Sequence, residues 1–147
     1  MVMTIKSPSE SLLNEKISLK NEIISLSSDL MYPSESDEKI EYFEMEASID
    51  ERLSSANFKM YNGIRPEIEI EKMDFESFFK PLIKIEDWFG EDEKKWAEDS
   101  LKLKQKLMDS LDEIQIYKVG KTEMDVYLFG KSENCKWEGI KTKLIET

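Results

Sequence analysis

Between Glu91 and the last residue the hydrophobic period changes once, from helical to alternating, and that single switch restricts the fold more than any other feature. Glu91-Asp92-Glu93 opens an amphipathic helix running to about Asp112, with Trp96, Ala97, Leu101, Leu103, Leu107, Met108 and Leu111 in one broad stripe. Lys104 falls inside the stripe and is expected to snorkel. Three short strands follow, Ile116–Gly120, Met124–Gly130 and Gly139–Glu146, joined by Gly120–Glu123 and Gly130–Asn134. Links this short join only antiparallel neighbours. A helix that must bury its stripe against such strands predicts an α+β sandwich with a largely antiparallel sheet. Chain ends usually fray, so a strand that reaches Glu146 and Thr147 is expected either to be tied into the sheet or to be held out for use.

The chain has 147 residues, enough for one domain with a real core and too few for two comfortable ones, so a single domain over residues 1–147 is expected. Acids outnumber bases 32 to 21, giving a formal charge of −11. That balance argues against direct nucleic-acid binding, which relies on Lys and Arg stripes that displace counterions. It suits either a merely soluble acidic cytosolic protein, the reading charge alone favours, or a protein with a basic partner, whose approach long-range attraction accelerates. The chain has no histidine, which removes Ser-His and Cys-His catalytic arrangements and the commonest zinc ligand. Cys135 is the one cysteine and has no internal disulfide partner. Met1–Lys6 lacks the pattern of a secretory signal, and no stretch approaches the ~20 apolar residues of a membrane span. No cofactor, no membrane partner and a cytoplasmic location are the expectations.

Upstream, Ser7-Pro8-Ser9-Glu10 reads as a helix start with Ser7 as cap and Glu10 closing a capping box. Leu12, Leu19, Ile23, Leu26 and Leu30 continue one face, and Pro33 predicts a stop near Asp29–Tyr32. A loop over Tyr32–Glu38 precedes a half-buried strand, Ile40–Ala47, in which Phe43 and Met45 alternate with Glu44 and Glu46. Ser48–Glu51 offers a second capping box, Asn62-Gly63 a turn, and Glu67–Glu71 another strand. Phe75–Phe79 reads as one helical turn stopped at Pro81.

Carboxylates invite an acid-catalysed hydrolase reading. Glu67, Glu69 and Glu71 are expected on one strand face, and Glu41 opposite Phe43 and Met45. Paired-acid catalysis needs two carboxyl groups across a cleft, one held protonated, whereas acids on an alternating strand usually form its wet face. The D-x-D-x-D-G spacing of a calcium loop is absent. Glu86-Asp87-Trp88-Phe89-Gly90 is different in kind, because a tryptophan beside acids in a Gly-containing loop has the makings of an interface anchor. Its bland counterpart makes Trp88 a lid over the core and Asp87 a local cap, with Glu91, Asp92 and Glu93 complementing the helix's positive end. The acidic loop around Glu35 faces the same choice between solvated turn and binding rim.

Phe75-Glu76-Ser77-Phe78-Phe79, Glu86-Asp87-Trp88, Ile116-Tyr117-Lys118-Val119-Gly120, Glu123-Met124-Asp125-Val126-Tyr127, Gly130, Gly139-Ile140-Lys141-Thr142-Lys143 and the terminal Glu146-Thr147 occur in an order and at a spacing similar to those of the nuclease A inhibitor family. The resemblance covers roughly Leu30 to Thr147, is most specific over Phe75–Thr147, and leaves residues 1–10 as an added extension. It implies an α-β-α sandwich similar to pathogenesis-related protein 1. It also implies an inhibitor, not an enzyme, whose partner is a sugar-non-specific endonuclease cutting DNA and RNA with one divalent metal. By the same resemblance Glu35, Asp87, Trp88 and Thr147, with Glu146 beside it, are the partner-binding residues, Thr147 reaching the nuclease's metal and none binding a metal of the inhibitor's own. A nuclease indifferent to sequence must grip phosphates, so its cleft is basic and its cation prefers oxygen ligands. The reading from another class is an acidic nucleic-acid mimic serving as an adaptor for a different basic protein.

Overall fold

The computed structural model describes residues 19–33, 37–46, 53–84, 87, 89–133 and 136–145. Residues 19–27 are helical (α1) and give way to a turn at 28–29, ahead of Pro33 as the proline rule predicts. A small hairpin of β1 (Met31–Tyr32) and β2 (Glu38–Lys39) leads into β3 (Glu41–Met45). Next come α2 (Ser55–Tyr61), β4 (Ile70–Lys72), α3 (Phe75–Ile83) and α4 (Glu91–Ser110). The closing elements are β5 (Leu111–Val119), β6 (Glu123–Ser132) and β7 (Trp137–Ile145).

The main sheet has five strands in the order β3-β7-β6-β5-β4, every neighbour antiparallel. Its centre is the β5–β6–β7 meander expected from the short links, with β3 added outside β7 and β4 outside β5. The fold is α+β. Alternation on the central strands produces two cores, one per face. Ile116, Met124, Val126, Leu128, Ile140 and Leu144 meet Ile23 of α1, Phe78, Phe79 and Leu82 of α3, and Leu103 and Leu107 of α4. On the other face Phe43, Tyr117, Tyr127, Phe129 and Trp137 surround Phe58 of α2. Phe58 stacks on Phe129 and meets Tyr117 and Tyr127 edge-on, each within 5.1 Å between ring centroids. Each such aromatic pair contributes about 0.5–1.5 kcal/mol beyond its area burial, so this seven-residue helix is held by one side chain more than by propensity.

Several boundaries differ from the sequence expectation, each for a local reason. Helix α3 does not stop at Pro81 but continues through it to Ile83. Pro81 is on the exposed side of the helix, while Phe78, Phe79 and Leu82 pin the last turn to the core. The stripe of α4 is narrower than seven residues. Ala97, Leu103 and Leu107 are buried, but Leu101 and Met108 are 52% and 48% exposed. Lys104 does not snorkel to open water; its ammonium meets Glu76 of α3 at 2.6 Å and ties the two helices together.

Strand β5 begins at Leu111, directly after the helix and five residues before the expected start. A bulge between Asp112 and Gln115, with Glu113 at φ 52°, breaks the alternation and hides the first half of the strand from a periodicity reading. The strand expected at Glu67–Glu71 shrinks to Ile70–Lys72, because residues 66–68 turn and Ile68 N–H donates to the Arg65 carbonyl. The capping box at Ser48–Glu51 lies outside the described residues, as does the helix start at Ser7; α2 is capped by the Ser54 hydroxyl, which accepts from the Asn57 N–H at 3.1 Å.

Candidate functional site

The geometry that matters is which segments reach the same end of the sheet. Strand β7 runs from Trp137, paired with Lys131 and Met45, to Ile145, paired with Glu123. The end beyond Ile145 is therefore the one bounded by the β5–β6 turn at Gly120–Glu123. Helix α4, twenty residues and so about 30 Å long, joins β5 with no intervening loop at the opposite end. Packed against the sheet and reversing into a nine-residue strand of similar length, it returns its own N-terminus to the Ile145 end. The α3–α4 loop that holds Asp87 precedes that N-terminus. The β1–β2 hairpin reaches the same end, because β3 pairs Glu41 with Lys141 and the chain preceding it continues beside 142–145.

Two long-range hydrogen bonds set the hairpin against its neighbours. Tyr32, 2% exposed, donates from its hydroxyl to the Phe78 carbonyl at 2.9 Å and stacks on the Phe78 ring at 4.7 Å. The buried Thr142 hydroxyl of β7 donates to the Lys39 carbonyl at 2.7 Å. Neither contact had a sequence signal, since the partners lie 46 and 103 positions apart.

Of the residues singled out from sequence, Asp87 is described and exposed. It is not a cap of α4. That position is Gly90, whose N–H donates to the Glu93 carboxylate at 3.0 Å, so one bland role for Asp87 is removed. Glu91, Asp92 and Glu93 follow it, all exposed, and continue the acidic surface. Glu35, Trp88, Glu146 and Thr147 lie outside the described residues, and only their flanking segments have been placed.

The acids that suggested hydrolysis do not gather. Glu67, Glu69 and Glu71 face Arg65, Lys121 and Lys118 at 3.4, 3.9 and 3.6 Å, and the turn at 66–68 separates Glu67 from the strand. Glu41 shares the face of Phe43 and Met45 rather than opposing it, since the three sit at alternate register positions; Tyr42 and Glu44 take the other face. Small-molecule sites usually occupy about 300–1,000 Å³. The groove of about 150 Å³ beside the hairpin, lined by Glu38, Lys39, Glu41, Lys141, Thr142 and Lys143, is below that range. A larger hollow of about 540 Å³ along α3, bordered by Glu76, Ser77, Lys80, Ile83 and Lys84, is an open surface depression rather than an enclosed cleft. The first is too small and the second too open to enclose a small substrate.

The perturbed ionisable groups sit toward the far end of the sheet or inside it. The Tyr42 hydroxyl lies 3.0 Å from both Glu44 and Glu138, and Glu138, fully buried, also accepts from Ser132. Burial, and then the two carboxylates, push the Tyr42 hydroxyl far above the ordinary tyrosine value. The Lys136 ammonium at 2.6 Å holds the Glu44 carboxyl below its usual range. Burial raises Tyr117 and Tyr127 as well, the Lys141 ammonium over the Tyr127 ring opposing the rise. All three tyrosines thus ionise at higher pH in the folded chain than in the unfolded one. Their contribution to stability is complete below about pH 10 and falls as pH rises beyond it. On alkaline titration, tyrosinate absorbance from these three should appear together with loss of near-ultraviolet dichroism. Full tyrosine ionisation near pH 10 with tertiary structure intact would contradict this.

A nuclease A inhibitor-like family model matches residues 18–147, nearly the whole chain and all of the described fold. The chain belongs to the nuclease A inhibitor-like family. No curated protein matches it. Membership carries a nuclease-inhibitor role at the level of the family. No helix among the described residues is long and apolar enough to cross a membrane.

Proposed function

We propose that this protein inhibits a metal-dependent, sugar-non-specific DNA/RNA endonuclease by occupying its active site with an acidic rim and its own C-terminus. Family membership over residues 18–147 carries the reading. Its support within the fold is that the β1–β2 hairpin and the end of β7 lie at one end of the sheet, the end toward which the length and direction of α4 carry the Asp87 turn. In this reading Glu35, Asp87, Trp88, Glu146 and Thr147 form the contact, Trp88 as desolvated anchor and the acids facing basic or metal-bound groups of the nuclease. A chain terminus is narrow enough to enter a phosphate groove, and it offers oxygen ligands to a hard cation without a scissile phosphorus. The formal charge of −11 steers the inhibitor to a cleft built for phosphates. In this reading the fold is an α-β-α sandwich similar to pathogenesis-related protein 1, and the protein works in the cytoplasm without a cofactor.

The test adds the purified chain to a panel of magnesium-dependent nucleases that digest both plasmid DNA and RNA. Digestion by the cognate enzyme should stop at near-equal stoichiometry, and deleting Thr147 or extending it with a tag should weaken inhibition while dichroism stays native. Undiminished digestion across the panel would favour the adaptor reading, and equal potency after either change to Thr147 would remove it from the mechanism.

A further inference from the structure

We infer that Tyr32 and Thr142 are positioning residues for partner binding: two buried hydroxyls that pin the β1–β2 hairpin, one to helix α3 and one to strand β7. The inference rests on the inhibitor reading above and adds to it how three separate segments keep a fixed spacing.

The hairpin is not part of the main sheet. Among the described residues its pairing is Met31 with Lys39 and Tyr32 with Glu38, and a two-stranded ribbon this short is not stable by itself in water. Its position must come from contacts outside itself, and two directed ones are present. Tyr32, buried on β1, inserts its ring against Phe78 and places its hydroxyl on the Phe78 carbonyl at 2.9 Å. Phe78 belongs to α3, whose C-terminal end leads directly to the Asp87 turn. Thr142, buried on β7, places its hydroxyl on the Lys39 carbonyl at 2.7 Å, where the chain leaves the hairpin to enter β3 at Glu41. Three residues further along, β7 ends at Ile145.

The hairpin is therefore fixed against both of the other segments that the inhibitor reading uses. Each pin satisfies a backbone carbonyl with a side-chain donor; the bond to the Phe78 carbonyl is buried, and leaving a buried acceptor unpaired costs more than a hydrogen bond contributes. A surface that must meet a rigid cleft gains affinity when its parts are held before contact. These two hydroxyls supply that preorganisation without touching the partner.

Thr142→Val keeps the shape and strand preference of the side chain and removes the donor; Tyr32→Phe keeps the stacked ring and removes the hydroxyl. Amide exchange in residues 31–32 and 38–39 should speed up at least severalfold in either variant, while β6 and β7 amides stay protected. Inhibition of the cognate nuclease should weaken about tenfold, the scale of one hydrogen bond, and Thr142→Ser should restore it. The decisive readout is a double-mutant cycle, since a general stability role would not couple to one residue. In a Glu35→Ala background the Thr142→Val penalty should largely disappear, whereas in a Thr147-deleted background it should persist. Unchanged hairpin exchange in both variants, or a Thr142→Val penalty of equal size with and without Glu35, overturns the inference. A wild-type chain that inhibits no nuclease would sink the inhibitor reading instead, and the exchange arm would still decide whether the hydroxyls hold the hairpin.

Discussion

Replacing Gly139 by alanine should cost more stability than any other single methyl added to a described glycine of this chain. Gly139 lies in β7 between Phe43 of β3 and Phe129 of β6, inside the sheet rather than at its edge. A methyl built there would sit 1.9 Å from the Leu128 carbonyl oxygen and 2.9 Å from the Phe129 Cα, both backbone atoms of the neighbouring strand. No rotamer relieves such a clash, so β6 and β7 must separate where they share their longest ladder. Overpacking a core typically costs about 1–3 kcal/mol and more when backbone must move, so a loss of about 3–5 kcal/mol is expected, a large part of the ~5–15 kcal/mol that holds a domain together. Gly63→Ala is the control. Gly63 has φ 66° but nothing within 4 Å of an added methyl, so it should lose only the ~1–2 kcal/mol of a left-handed conformation. Urea midpoints for the two variants separate steric from conformational cost. A Gly139→Ala midpoint equal to that of Gly63→Ala would mean that β7 can shift away from β6 without penalty.

That glycine also marks how far the sequence could be read. Gly139 was legible as a strand residue, although β7 begins earlier, at Trp137, and the β5–β6–β7 meander was legible because short links leave antiparallel neighbours no choice. What periodicity missed was structure that breaks period. Glu113 in the left-handed region hid the first half of β5, and Pro81 was read as a stop because its exposed placement depends on which face of α3 the sheet takes. The addition of β3 outside β7 joins residues almost a hundred positions apart and has no local signature. The candidate site divides in the same way. Asp87 was identifiable from its neighbours and its resemblance to a family, whereas its position at the Ile145 end follows from α4 reversing directly into β5. Tyr32 and Thr142 looked like a loop-edge aromatic and an ordinary strand residue. Only tertiary contact gives their hydroxyls a purpose.

Trp88→Ala and Asp87→Asn should separate the two physical contributions of one loop. If Trp88 is the desolvated anchor of the nuclease complex, its truncation should raise the dissociation rate by about thirtyfold or more, matching the ~2 kcal/mol or larger losses of interface hot spots, with the association rate little changed. Asp87→Asn keeps size and removes charge, so it should slow association and flatten its salt dependence, the mark of a residue that steers. Because Gly90 and Glu93 already complete the start of α4, neither change removes a helix cap, and thermal midpoints should stay close to that of the parent. The separation is what gives the pair its force. A fold defect would lower stability and affinity together, whereas an anchor and a steering charge shift opposite kinetic constants at constant stability. A Trp88→Ala variant that dissociates at the parental rate would move the anchor elsewhere on the rim, and loss of both rates alike would return the loop to a purely structural role.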